Sequence, residues 1–345
     1  MEKYSISNQM IRKELRFSGK IIRTIMPYFK TSTLEKCNKI MDKYAKGKWL
    51  GKQTVMKEHW IKRADKSQLR LCICIPKKRK KSVPGLLWIH GGGYAIGLPE
   101  QDFRYMEKFA VNFGCICVSP DYRRSIEAPY PAALDDCYLA LVWLKEHAAD
   151  YDINPSQIFI GGDSAGGGLA AAVSLYARDK GEVAIAYQML LYPMIDDRMN
   201  TASSVNNDAP VWNSKSNEAS WKLYLGDRYG TSDVPVYAAP AREQNYKNLP
   251  PTCAFVGTIE PFYDETVTYM KNLHKAGVKL CFREYKGCFH AFDQICPRSK
   301  AAKSADRFLM NAFQYAVEHF FAAQPKKRSY SGDSVRASSK ADYEY

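Results

Sequence analysis

No two cysteines in this 345-residue chain stand in a CxxC spacing, and no Cys/His pattern suits a tetrahedral zinc site. A zinc-ribbon or thioredoxin-like chemistry is therefore excluded. None of the Gly-Lys pairs is followed by Ser or Thr, so there is no P-loop for a nucleotide. No stretch of about 18 uninterrupted apolar residues occurs, as a membrane-spanning helix requires. Charges at Glu2, Lys3, Arg12, Lys13 and Arg23 interrupt any signal-like run at the N-terminus. No internal repeat is present.

What is there is the composition of a packed globular protein, 46% apolar and 25% charged. A chain of this length holds either two average domains or one large α/β unit. The ten cysteines read as buried thiols: Cys72 and Cys74 in "LRLCICI", and Cys115 and Cys117 in "GCICVSP", alternate with isoleucine inside strand-like segments. Unpaired thiols of this kind point to a reducing, cytoplasmic setting.

The net charge of +14 is uneven, because residues 1–81 carry 23 Lys/Arg against 6 Asp/Glu. Such a segment could face an anionic surface, but its charges are spread singly among apolar positions, as on a solvated helix face. The one true run, "KKRKK" (Lys77 to Lys81), lies between two strand-like segments and is expected in an exposed hairpin loop. No nucleic-acid partner is expected.

Ile22, Ile25, Met26 and Phe29 predict one amphipathic helix, and Leu34, Cys37, Ile40, Met41 and Tyr44 a second, with Ser32 and Glu35 as its capping box. Strands are predicted at residues 55–64 and 69–75, then at "GLLWIH", "CICVSP", "QIFIGG", "AYQMLLYP", "TCAFVG" and "KLCFREY". From Gly85 onward these alternate with helical patterns around residues 102–113, 131–149, 166–178, 262–276 and 300–321. That rhythm predicts an α/β fold: a mostly parallel central sheet with helices on both faces and ligands at the carboxyl ends of its strands. The 58 residues between Pro193 and Thr252 are too long for a plain connection and read as a lid or cap insertion. After Phe321 the chain is poor in large aliphatics and rich in Ser and Lys, a composition that predicts disorder.

"IFIGGDSAGGGLAAA" (Ile158 to Ala172) admits two readings. Gly166, Gly168 and Ala171 match a dinucleotide fingerprint, but a dinucleotide turn follows its strand directly, and here Gly166 comes five positions after the strand end near Gly161. Gly162, Asp163, Ser164, Ala165 and Gly166 instead form GxSxG between a strand and a helix. There a nucleophilic serine stands on a tight turn, and the helix N-terminus favours the oxyanion formed on attack. "HGGGY" (His90 to Tyr94) ends another predicted strand and can present successive N–H groups to the same oxygen. Of the histidines after Ser164, His274 and His319 lie in helical patterns, whereas His290 follows a strand through a short glycine-containing loop. The acid is sought in "VGTIEPFYDE". Glu260 stands nearest the strand end, and Asp264 is its rival.

At this point the sequence resembles the hormone-sensitive lipase family of α/β-hydrolases, which includes many bacterial carboxylesterases. The resemblance runs over roughly residues 84–322, through "HGGGY", "DYRRSIEAPYPAALDD" (Asp121 to Asp136), "GDSAGG" (Gly162 to Gly167), "EPFYDE" (Glu260 to Glu265) and "HAF" at His290. The family's Asp-Pro-Leu is replaced by Glu260-Pro261-Phe262, its glycine after the histidine by Ala291, and its "DYRLAPE" by "DYRRSIE". The resemblance implies a Ser164, His290 and Glu260 triad, with oxyanion donors at Gly92, Gly93 and Ala165, and Gly91 shaping the turn. It further implies a cap built from the N-terminal helices (1–50) and an insertion (194–235), over a catalytic domain at 51–193 and 236–322, with a disordered tail at 323–345. The expected substrate is a small to medium acyl ester, with Trp212, Trp221 and Tyr224 as wall or cap-core residues. No cofactor, metal or integral membrane segment is expected, and any protein partner would be a second copy in a homodimer. A peptidase with the same triad, or a ligand-binding protein on a dead hydrolase scaffold like the plant gibberellin receptors, are the alternatives.

Overall fold

The computed structural model describes residues 5–25, 28–29 and 31–325. Met26 of the first predicted helix, and the tail from residue 326, lie outside the described residues.

Eight strands form one sheet: β1 (Thr54–Lys62), β2 (Gln68–Pro76), β3 (Val83–Ile89), β4 (Ile116–Pro120), β5 (Ile153–Asp163), β6 (Tyr187–Leu191), β7 (Thr252–Gly257) and β8 (Leu280–Tyr285). Their order is β1-β2-β4-β3-β5-β6-β7-β8. β1 and β2 are antiparallel to their neighbours, and from β4 to β8 all pairings are parallel. Burial follows from this order. Every residue of β3 is buried, as a central parallel strand covered on both faces requires, whereas edge strand β1 is largely exposed.

The parallel strands alternate with α3 (Phe103–Phe113), α4 (Ala132–Glu146), α5 (Ala165–Lys180), α7 (Tyr263–Lys275) and α9 (Lys300–His319). Because strand side chains point alternately to opposite faces, the sheet separates two cores. Leu87, Ile89, Ile158 and Ile160 pack with α4, α5 and α7 through Leu141, Leu169, Val173 and Leu273. Leu86, Trp88 and Phe159 face the other way, onto Met106, Phe109, Leu309 and Phe313 of α3 and α9.

The N-terminal helices are α1 (Arg16–Ile25) and α2 (Thr31–Tyr44), and the long insertion contains α6 (Ser214–Leu225). These pieces meet: Phe29 lies 5.7 Å from the Trp212 ring, the Phe29 N–H donates to Ser216 Oγ at 3.0 Å, and Arg23 Nε donates to the Asp208 carbonyl at 3.1 Å. Asn38 reaches further, donating to the Ala95 carbonyl at 2.9 Å. Glu14 accepts the Lys300 and Ala301 N–H groups, both at 2.9 Å, and so caps α9.

Several expectations are corrected. The "KKRKK" loop is exposed but is no hairpin, since β2 pairs with β4 and β3 lies beyond it. Helix α2 starts at Thr31, so Ser32 sits inside its first turn and does not cap it. The basic N-terminal segment is more than a solvated face. Arg70 is 2% exposed and ion-paired with Glu58, Glu100 and Asp121, and Arg63 holds buried Asp136. The thiols are unpaired, yet Cys281 is exposed and Cys37 and Cys296 are half-buried. At the last described residues the Gln324 side chain bridges Pro155 and Ala184. Among the described residues no helix is long and apolar enough to cross a membrane.

Candidate active site

Strand β5 runs into α5 through Ser164, whose φ of 54° and ψ of −123° are those of a strained turn for a residue with a side chain. The turn is held from three sides. The Ser164 N–H donates to the Leu191 carbonyl at 2.9 Å, and the Ser164 carbonyl accepts from Gly168 and Met194, both at 3.0 Å. Helix and sheet approach so closely here that a methyl group on Gly166 would fall 2.0 Å from the Ile89 carbonyl oxygen. Only glycine fits. Ser164 thereby stands at the N-terminus of a 16-residue helix, at its positive end.

The histidine and the acid arrive from the carboxyl ends of β8 and β7. His290 Nε2 lies 2.9 Å from Ser164 Oγ, and its Nδ1 is hydrogen-bonded to Glu260 Oε2. The other Glu260 oxygen, Oε1, accepts the Gly257 N–H at 2.8 Å. All three are buried, with 5%, 3% and 0% exposure for Ser164, His290 and Glu260. Asp264 is not among them; it starts α7 and accepts the Ser203 N–H at 2.8 Å. His274 and His319 sit in α7 and α9, as their helical patterns predict.

The "HGGGY" turn follows β3, which pairs with β5, so it lies beside the serine turn. Gly92 and Gly93 both have positive φ, 121° and 57°. Among the described residues no hydrogen-bond partner is found for the N–H groups of Gly92, Gly93 and Ala165, whereas the Gly91 N–H is taken by Asp163 Oδ1 at 3.0 Å. His90 is buried and stacks on Tyr122 at 4.2 Å. Burial holds its imidazole below the ordinary value, and its Nδ1 faces the Gly91 carbonyl at 2.8 Å, so it serves the turn.

The aromatic residues divide. Trp221 and Tyr224 are core: Tyr224 stacks on Tyr94 at 3.9 Å, and the Tyr94 hydroxyl donates to the Met194 carbonyl at 2.7 Å. Trp212 faces the site, 6.2 Å from the His290 ring, and so close to the glycine turn that a methyl on Gly93 would meet it at 2.4 Å. Tyr192, which no motif singled out, meets the His290 ring edge to face at 4.8 Å. Among the described residues there is no cluster of three or more His, Cys, Asp or Glu able to hold a metal ion.

A strand, a strained serine turn, a helix, and then a carboxylate and a histidine from later strand ends define the α/β-hydrolase class. Residues 86–294 match the model of the family described as the alpha/beta hydrolase fold, and the chain belongs to that family. Esterase LipI of Mycobacterium tuberculosis is 33% identical over 210 residues, which is 61% of this chain and 65% of that relative. Carboxylesterase NlhH of the same organism is 34% identical over 210 residues, covering 59% of this chain and 65% of the relative. The match thus spans just under two thirds of each. Among solved structures, a bacterial heroin esterase superposes with a TM-score of 0.83 at 31% identity, over 90% of this chain and 99% of that one. A thermostable esterase from Pseudomonas putida gives 0.77 at 25% identity, over 91% and 98%.

Proposed function

We propose that the protein is a serine carboxylesterase that cleaves small to medium acyl esters through Ser164, His290 and Glu260. The observation that carries this is the continuous chain from Ser164 Oγ to His290 Nε2 at 2.9 Å, and from His290 Nδ1 to Glu260. Esterase names among relatives and structural neighbours support it.

Ser164 Oγ attacks the ester carbonyl carbon while His290 Nε2 takes its proton. Glu260 fixes the imidazole with Nδ1 protonated and stabilises the imidazolium that forms. The negative charge on the tetrahedral oxygen is met by the N–H groups of Gly92, Gly93 and Ala165, and one such donor contributes about 3 to 4 kcal/mol in the transition state. His290 then protonates the leaving alcohol. Water, deprotonated by the same imidazole, attacks the acyl-enzyme and releases the carboxylic acid. Helices α1 and α2, with the insertion carrying α6, form the cap over this site, and Trp212 is its wall toward the substrate.

The test is Ser164→Ala assayed on p-nitrophenyl butyrate and on the matched anilide. The expected result is ester hydrolysis by the wild type, weak action on the anilide, and a loss of at least about 10⁴-fold in kcat in the variant with its circular dichroism unchanged. Retention of most ester activity would remove Ser164 from the mechanism. Equal turnover of ester and anilide would make the protein an amidase.

A further inference from the structure

Ser164, Glu260, His290 and the short helix α8 (Phe292–Ile295) all follow the carboxyl ends of strands. At the other end of the sheet a cavity of about 650 Å³ opens between α9 and the start of edge strand β8. Tyr187 and Thr252, the first residues of β6 and β7, also line it. Clefts of about 300 to 1,000 Å³ are the size that small organic ligands occupy. The reaction above makes no use of this one.

The floor of the cavity is aromatic. Tyr187 is 2% exposed and Phe308 is 8% exposed. The Tyr187 ring stacks on Phe320 at 5.6 Å, and Phe320 meets Tyr315 at the same distance, edge to face. An apolar body laid on these rings would gain by leaving water.

The rim is cationic: Lys279, Arg283 and Arg307 line the cavity, and no aspartate or glutamate does. Two of the three rest on rings instead. The Arg283 guanidinium carbon lies 4.6 Å from the centroid of Phe308, and Lys279 Nζ lies 5.7 Å from that of Phe320. A ring takes up the face of a guanidinium and leaves its edge N–H donors for another acceptor. Elsewhere on the surface arginines are matched by carboxylates, as Arg124 is by Asp42 and Glu127, Arg178 by Glu243 and Arg242 by Asp197. Among the described residues no such ion pair holds Lys279, Arg283 or Arg307. A cleft lined by one sign of charge gathers the opposite sign from solution.

We propose that this cavity binds an amphipathic monocarboxylate, with its acyl chain on Tyr187, Phe308 and Phe320 and its carboxylate at the arginine rim. The planar fork of an arginine matches the two oxygens of a carboxylate. A neutral molecule with the same chain leaves the arginines unmatched, and a short carboxylate leaves the rings uncovered. Both halves of the ligand are therefore needed. The assignment does not depend on Ser164 being a nucleophile, because no residue of that site lines the cavity.

Cys281 supplies a local reporter, since it lines the cavity and its side chain is exposed. The experiment follows iodoacetamide labelling of Cys281 by peptide mass spectrometry in the Ser164→Ala protein, with decanoate, decanol or acetate added. Decanoate below its micelle-forming concentration is expected to slow the labelling by about fivefold or more at saturation, as a ligand seated over the thiol does. Decanol and acetate at the same concentrations should leave the rate unchanged. The double variant Arg283→Gln, Arg307→Gln should raise the half-protecting decanoate concentration by about tenfold or more, the worth of lost charge-assisted hydrogen bonds. Arg307→Gln alone, at an exposed position of α9, should give a smaller rise in the same direction. No protection by decanoate, equal protection by decanol, or protection that survives the double substitution overturns the proposal. So does a thiol already shielded without decanoate in a wild-type dimer that the double variant dissociates in sedimentation, which would make the cavity a contact between two copies.

Discussion

Asp264, four residues beyond Glu260, is bound to Ser203 twice: its Oδ2 accepts the Ser203 N–H at 2.8 Å, and its own N–H donates to Ser203 Oγ at 3.0 Å. That reciprocal pair anchors the insertion to the start of α7 and leaves Glu260 alone with His290. Glu260→Gln is therefore expected to lower kcat on p-nitrophenyl butyrate by about 10²-fold or more, as a mis-set histidine tautomer does. Asp264→Asn should cost less than about tenfold and act mainly on thermal stability. The reverse ranking would reassign the acid.

Trp212 lies against Gly93 and beside His290, and on the proposed esterase reading it walls the acyl path. Trp212→Ala should raise kcat/KM for p-nitrophenyl hexanoate relative to the acetate by about threefold or more, since each methylene accommodated changes transition-state binding by about 1 kcal/mol or more. An unchanged ratio would place Trp212 outside the acyl path.

Arg70 is the centre of a buried ion cluster with Glu58, Glu100 and Asp121. Burial alone would raise the Asp121 carboxyl, but Arg70 and Lys46 outweigh it and hold it below the ordinary aspartate value. The sign of the linkage follows. This stabilisation is fully present above the ordinary value of about 4 and is lost as pH falls through the depressed folded value. Arg70→Met, which strands the carboxylates, should cost about 3 to 5 kcal/mol in urea unfolding at pH 7, and clearly less at pH 3. Equal losses at both pH values would mean that packing, not charge, is what Arg70 supplies.

Cys281 sits on the outer edge strand β8, directly opposite Cys253 of β7 in the parallel register. A hydrogen bond from Cys253, countered by partial burial and aided by Arg283, lowers its thiol to about 7. Burial raises Cys288 instead, to about 12. Iodoacetamide should accordingly label Cys281 first, with a rate that levels off above pH 7 to 8, and Cys281→Ser should remove the fast phase. A rate still rising tenfold per pH unit at pH 9 would contradict the lowered thiol.

The eight strands and the main helices were legible in the sequence because apolar alternation, short buried runs and helical spacing are local signals. So was the order of serine, acid and histidine, since each follows a strand that the local pattern marks. Choosing Glu260 over Asp264 needed more. Both stand within seven residues of the end of β7, and only the fold shows that one meets His290 and the other meets Ser203.

Strand order, too, was decided by tertiary structure. Nothing local tells β2 to pair with β4 instead of β3, and so "KKRKK" was expected in a hairpin that does not exist. The Arg70 cluster and the approach of Trp212 have the same origin. Each joins residues far apart along the chain, as Ser164 and His290 are joined across 126 positions. Periodicity reports which face of an element is buried. The partner waiting on that face is chosen by packing, charge and the satisfaction of buried polar groups, which exist only once the elements have come together.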